Sequence, residues 1–197
     1  MNQAALGFRV KSGWAMAVLL AGPVSSPKVI DRRRVELADP ADPESIQPFH
    51  AGLDLPKATA AKVVARLVVR VERFAEKALA ELVRSYRAGD YRPAGAGIVV
   101  GSTVDPQTIK NDHIRAHAEE GRLFRLVTEN ALKAARLKPS VTVEKQLLAQ
   151  AIKTLGIAER KLKADLIAMG KNVDGSWRAE EKAATLAAWM ALAQQAE

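Results

Sequence analysis

The chain contains no cysteine. Disulfide frameworks, thiolate nucleophiles and cysteine zinc sites are therefore excluded, and a reducing cytoplasm is the simplest compartment. Aromatic residues amount to only 5%, which leaves little from which to build stacking platforms for single-stranded bases. No apolar run approaches the roughly 20 residues needed to cross a bilayer, so no membrane association is expected. Residues 14–21, preceded by Arg9 and Lys11, have the outline of a short signal peptide. Gly13 and the Val18-Leu19-Leu20 run also fit a turn and a buried strand, and cytoplasmic residence is the expectation. A Gly-rich phosphate loop, a Ser-His-Asp order and a nucleophile elbow are all missing. With no internal repeat, low-complexity tract or linker, residues 1–197 read as one domain.

What is present is positive charge and an ordinary core. Thirty Lys and Arg against 22 Asp and Glu give a formal charge of +8. Such a balance suits a polyanionic partner, nucleic acid first among them. A protein partner is the other reading, and the oligomeric state is left open. Apolar residues at 48% suffice for a globular core in a chain of 197 residues.

Local patterns order the elements. Residues 6–11 and 14–20 read as a hairpin across Lys11-Ser12-Gly13. Residues 28–37 read as a third strand, with Val29, Val35 and Leu37 on one face and Arg32 and Arg34 on the other. The Arg32-Arg33-Arg34 block suits an exposed face or edge strand. An Asp- and Pro-rich loop follows over residues 38–56. Residues 58–88 form the strongest helix, with Val64, Leu67, Val71, Phe74, Ala78 and Leu82 on one face and Gly89 and Pro93 ending it. Residues 96–100 read as a buried central strand. Asp105-Pro106 predicts the start of a helix running to about residue 137. Residues 140–143 form a short strand, and helices fill the rest, including 177–196. The fold class is α/β: a mixed sheet of five strands, the first three antiparallel neighbours and the others joined by helical crossovers. Trp14, Trp177 and Trp189 read as core or interface residues.

Certain segments add to this order. Gly7-Phe8-Arg9 followed by Ser12-Gly13-Trp14-Ala15 resembles the Gly-Ile-Asp and Thr-Gly-Trp-Ala opening of the Holliday-junction resolvase group of the ribonuclease H-like superfamily. Gly156-Ile157-Ala158-Glu159-Arg160-Lys161 resembles that group's Gly-x-Ala-x-Lys segment, and Glu180-Glu181-Lys182-Ala183-Ala184 resembles its Asp-Ala-Ala-Asp-Ala helix start. The resemblance implies a ribonuclease H-like fold and phosphodiester hydrolysis by two magnesium ions held on carboxylates. Clustered hard oxygen ligands are what such ions need. At the corresponding positions this chain has Arg9 for the first-strand aspartate, Gly101 or Ser102 near the end of the fourth strand, and Ala183 at the second acidic position of the last helix. Arginine stays charged in a protein and repels a metal. The catalytic carboxylates of the group are thus expected to be lost. If the chain were active, Asp105, Glu180 and Glu181 would be the candidate catalytic residues, Asp31 could also substitute, and magnesium would be required.

The remaining candidates are polar clusters. Lys62, Arg66, Arg70, Arg73, Lys77 and Arg84 lie within a narrow sector of the long helix, a stripe suited to a phosphate backbone. Arg115 and Arg122 are further phosphate-binding candidates near a helix N-terminus. His113 and His117 share a helix face with Glu120, the spacing of a two-histidine, one-carboxylate metal site. The internal glutamate of His-Glu-x-x-His is missing, and no metal or other cofactor is assigned. A polar pocket of Arg9, Lys11, Asn111, His113, His117 and Glu120 near the strand ends is preferred. The functional expectation is a non-catalytic module that binds nucleic acid or protein. The alternatives are a nuclease with relocated carboxylates and a structural scaffold.

Overall fold

The computed structural model describes residues 2–195. β1 (Asn2–Lys11) and β2 (Trp14–Ala21) form the predicted hairpin. Its turn places Gly13 at φ +79°, a left-handed conformation that costs glycine little. β3 (Lys28–Glu36) returns along β2, and α1 (Pro43–Ile46) and a 3-10 turn at His50–Gly52 lead into α2 (Lys57–Ala88). β4 (Tyr91–Val100), a 3-10 turn at Pro106–Thr108, α3 (Asp112–Ala134) and β5 (Lys138–Val143) follow. α4 (Glu144–Leu155), α5 (Glu159–Lys171) and α6 (Ala179–Ala193) complete the order.

The strands form one sheet in the order β3-β2-β1-β4-β5. The first three are antiparallel neighbours, while β4 runs parallel to β1 and β5 parallel to β4. The crossovers through α2 and α3 produce that parallel half, since parallel neighbours need a connection long enough to return to the starting end. This is the mixed sheet expected from the sequence, with the first three strands as antiparallel neighbours.

Alternation along β1 separates two cores. Leu6, Phe8 and Val10 face α2 and α3, where Val71, Leu79, Phe124 and Leu132 meet them. The opposite face of the sheet packs Val18, Leu20 and Val99 against Leu147, Leu162 and Trp189 of α4, α5 and α6. Each fully buried aromatic or leucine contributes about 1.5–3 kcal/mol by leaving water. α6 approaches the central strands closely because Gly7 and Gly97 carry no side chain. A β-carbon at either would overlap the backbone of Ala184 or Ala187.

Several expectations need correction. The Asp105 side chain caps only the 3-10 turn, accepting from the Gln107 backbone, and α3 begins later, capped by Asn111 through the Ile114 amide. β4 starts at Tyr91 and includes Pro93, which is tolerated because β5 pairs only from Gly95 onward. Val29 does not share a face with Val35. The register between β2 and β3 shifts at Ile30, and this bulge inverts the alternation, so Val29 packs toward α6 while Val35 and Leu37 join the other core. Trp177 precedes α6, its indole donating to the Leu166 carbonyl, and the predicted end of that helix at Ala196 lies outside the described residues. β3 is an edge strand, as the arginine block suggests.

Candidate functional site

Arg9 sits one residue from the end of the β1 face that carries Gly7, pointing toward α4 and α6. It is buried, with 4% of its surface exposed. Its guanidinium donates twice to Glu144, at 2.5 Å to Oε2 and 3.3 Å to Oε1, and once to the Val10 carbonyl at 2.7 Å. Glu144 opens α4 directly after β5, where the positive end of a helix favours an acid. A fork-on-fork pair thus closes the ends of β1 and β5 together.

The acids of α6 are engaged in the same way. Glu180 lies 3.6 Å from the Lys11 ammonium. Glu181 is buried, meets Arg32 at 3.3 Å, and accepts from the Arg178 amide at the helix start. Asp31 receives the Tyr86 hydroxyl and the Arg33 guanidinium on the other face of β3. Burial, then the hydrogen bond to Asp31, pushes the Tyr86 phenol well above its usual range. The hydrogen bond to Asp31 likewise raises Arg33. Asp105 lines a separate depression with Arg122. The three acids proposed for an active enzyme, Asp105, Glu180 and Glu181, therefore have different surroundings.

A cavity of about 450 Å³ lies at the ends of β1 and β4, lined by Arg9, Lys11, Ser12, Ser102, His117 and Phe124 among others. Of the predicted polar pocket, Arg9, Lys11 and His117 meet here. Asn111 instead caps α3, and Glu120 is completely buried rather than lying exposed on the helix face. Arg115 and Arg122 do not converge: Arg115 binds Asp112 and the Ile109 carbonyl, while Arg122 lines the neighbouring depression. Arg9 was placed in the pocket by the sequence, but its partner Glu144 was not identified. The only local sign was an acid in the first turn of a helix after a strand.

The histidines form a further group. His50, from the loop turn before α2, joins His113 and His117 on α3, with one ligand atom from each within 4.8 Å of the others. The ring centroids are 4.3–4.8 Å apart and the planes are inclined by 57–85°. Glu120 lies beneath, its Oε1 accepting from His50 Nδ1 at 2.7 Å and its Oε2 3.8 Å from His117 Nδ1. Sequence spacing found His113, His117 and Glu120 but not His50, which lies in a loop without periodic pattern.

On α2, Lys62, Arg66, Arg70, Arg73, Lys77 and Arg84 are all exposed. Arg70 pairs with Asp42 at 2.9 Å. Among the described residues the other stripe cations have no carboxylate within ion-pair distance.

No protein-family model and no curated protein matches the sequence. Solved structures do. A Thermus thermophilus RuvC structure superposes with a TM-score of 0.54 at 9% identity, covering 95% of this chain and 92% of that one. The T. thermophilus RuvC in complex with Holliday junction substrate gives the same TM-score of 0.54 at 10% identity, covering 95% and 91%. The fold is ribonuclease H-like. Among the described residues, no helix is long and apolar enough to cross a membrane.

Proposed function

We propose that this ribonuclease H-like chain is one nucleic-acid-binding domain that does not hydrolyse phosphodiesters with magnesium. The carrying observation is Arg9. A buried guanidinium paired to Glu144 occupies the strand position where the resemblance requires a metal-ligating carboxylate. Glu180 and Glu181 also face cations, Lys11 and Arg32. These residues do not fit a magnesium pair, which needs several hard oxygen ligands free of competing positive charge.

Nucleic acid is favoured over a protein partner by two features: the charge of +8 and the exposed stripe on α2. Phosphate contacts supply affinity without reading sequence. The T. thermophilus RuvC that shares the fold was solved with a Holliday junction substrate, which makes branched duplex the first probe to try.

The test is equilibrium binding to duplex, branched and single-stranded DNA and RNA at two salt concentrations. Affinity should fall steeply with salt, each lost phosphate contact reducing the slope by about 0.9 on duplex DNA. Arg66→Glu with Arg73→Glu should weaken binding strongly while leaving stability within about 0.5 kcal/mol, as expected for surface changes. A folded double variant that binds like the parent would refute the stripe. Cleavage in magnesium or manganese that disappears in Glu181→Gln would refute the non-hydrolytic reading.

A further inference from the structure

We infer that His50, His113 and His117 form a binding site for a divalent transition metal of the zinc class, with Glu120 holding His50 in ligating orientation. The proposal departs from the cofactor-free expectation of the sequence, and it does not depend on nucleic-acid binding. The chain has three histidines in 197 residues, and all three converge. Two come from successive turns of α3 and the third from a loop more than sixty positions earlier.

The second observation is an unpartnered polar pair. His50 Nδ1 donates to Glu120 Oε1 at 2.7 Å, which leaves the His50 Nε2 lone pair as the free ligating atom. That nitrogen is buried and has no hydrogen-bond partner, and neither has Glu120 Oε2. Burying polar atoms without partners is costly, so the arrangement calls for an occupant. A metal ion satisfies Nε2 directly. Glu120 then serves as the carboxylate behind a ligating histidine, the usual outer partner that fixes ring orientation and tautomer. It acts through His50 and is a positioning residue.

The donor set selects the ion. Three imidazoles suit zinc, cobalt, nickel or iron, whereas magnesium and calcium require oxygen. In a tetrahedral zinc site, bonds of about 2.0–2.1 Å set the ligand nitrogens about 3.3 Å apart. The present atoms lie within 4.8 Å of one another, so the rings must draw together by up to about 1.5 Å at the distance that geometry implies. His113 and His117 are exposed and can rotate to do so. Three protein ligands leave the fourth position open to water or a small ligand. His117 also lines the cavity that holds Arg9 and Lys11, so the site borders that cavity.

The experiment is titration of chelator-treated full-length protein with zinc against a competing dye, and with cobalt followed by visible absorption. The expected result is one ion per chain and the absorption of tetrahedral cobalt. His113→Ala and His117→Ala should each weaken binding by about 100-fold or more, since loss of an outer partner alone costs about 10–100-fold. Glu120→Gln should fall in that 10–100-fold range and alter the cobalt spectrum. Excess magnesium should not displace zinc. Because His50→Ala could unfold its loop, the decisive variant is His113→Ala with His117→Ala, checked for folding by circular dichroism. The proposal is overturned if the parent binds neither ion, if the folded double variant binds as the parent does, or if magnesium displaces zinc. Unchanged affinity in Glu120→Gln would overturn the role given to that residue.

Discussion

Deleting the Glu144 side chain beyond its β-carbon strands the Arg9 guanidinium. The two side chains differ in setting, 5% exposed for Arg9 and 48% for Glu144. Removing one partner of a fully buried ion pair costs about 3–5 kcal/mol, whereas an exposed pair is worth about 0–1 kcal/mol. This pair lies between those limits. Arg9 would keep its bond to the Val10 carbonyl, and the adjoining cavity of about 450 Å³ would admit water to the vacated side. Charge-assisted hydrogen bonds contribute about 1.5–3 kcal/mol, which is the expected cost of Glu144→Ala. For a domain of this size each kcal/mol lowers Tm by about 2–4 °C, so a fall of roughly 3–12 °C should appear in thermal unfolding. Arg9→Met should be much milder, because it removes the charge together with the need to solvate it. The double variant Arg9→Met with Glu144→Ala should therefore be more stable than Glu144→Ala alone. A Glu144→Ala protein melting within about 1 °C of the parent would refute this reasoning. So would a double variant whose loss equals the sum of the singles, since residues in direct contact should couple.

Two further perturbations follow from the packing. Gly97→Ala should lower stability by about 1–3 kcal/mol through overpacking against α6, whereas Gly121→Ala, a helical position with open space around it, should raise it by about 0.5–1 kcal/mol; urea unfolding compares the two, and equal effects would contradict the proposed α6 contact. Tyr86 is protonated more firmly in the folded chain than in the unfolded one, so its contribution is complete below about pH 10 and is lost as pH rises beyond that. Tyr86→Phe should flatten the alkaline decline in stability, and an unchanged pH profile between parent and variant would show that the phenol does not drive it.

The elements that announced themselves were those with undisturbed periodicity. α2 was legible because its apolar positions recur at three and four residues while its opposite side stays charged, and the structure leaves that charged side in water. The central strand was legible from its glycines, and Gly97 proves to be where a helix crosses closely. Val29 was misplaced because a single extra residue, Ile30, inverts strand parity without any signature in composition. α6 gave little helical phase because residues on nearly every side of it are buried, from Ala183 to Leu192. The site was half legible. Arg9 stood out as a cation in an acid's place, but its pairing with Glu144 joins residues 135 positions apart. His50 meets Glu120 of α3 across 70 positions, and local spacing cannot register such meetings.

The seating of α6 on β1 also has a consequence for synthesis. The strands made first depend on the helix made last among the described elements, since α6 covers the side of β1 and β2 that carries Gly7, Val18 and Leu20. A ribosome adding about 5–20 residues per second needs roughly 10–30 s to travel from β2 to the end of α6. For that interval the emerging hairpin displays an apolar side with no permanent cover. The nascent chain should therefore be a better client for chaperones than the finished protein, and shortening the delay before α6 appears should reduce its losses to aggregation.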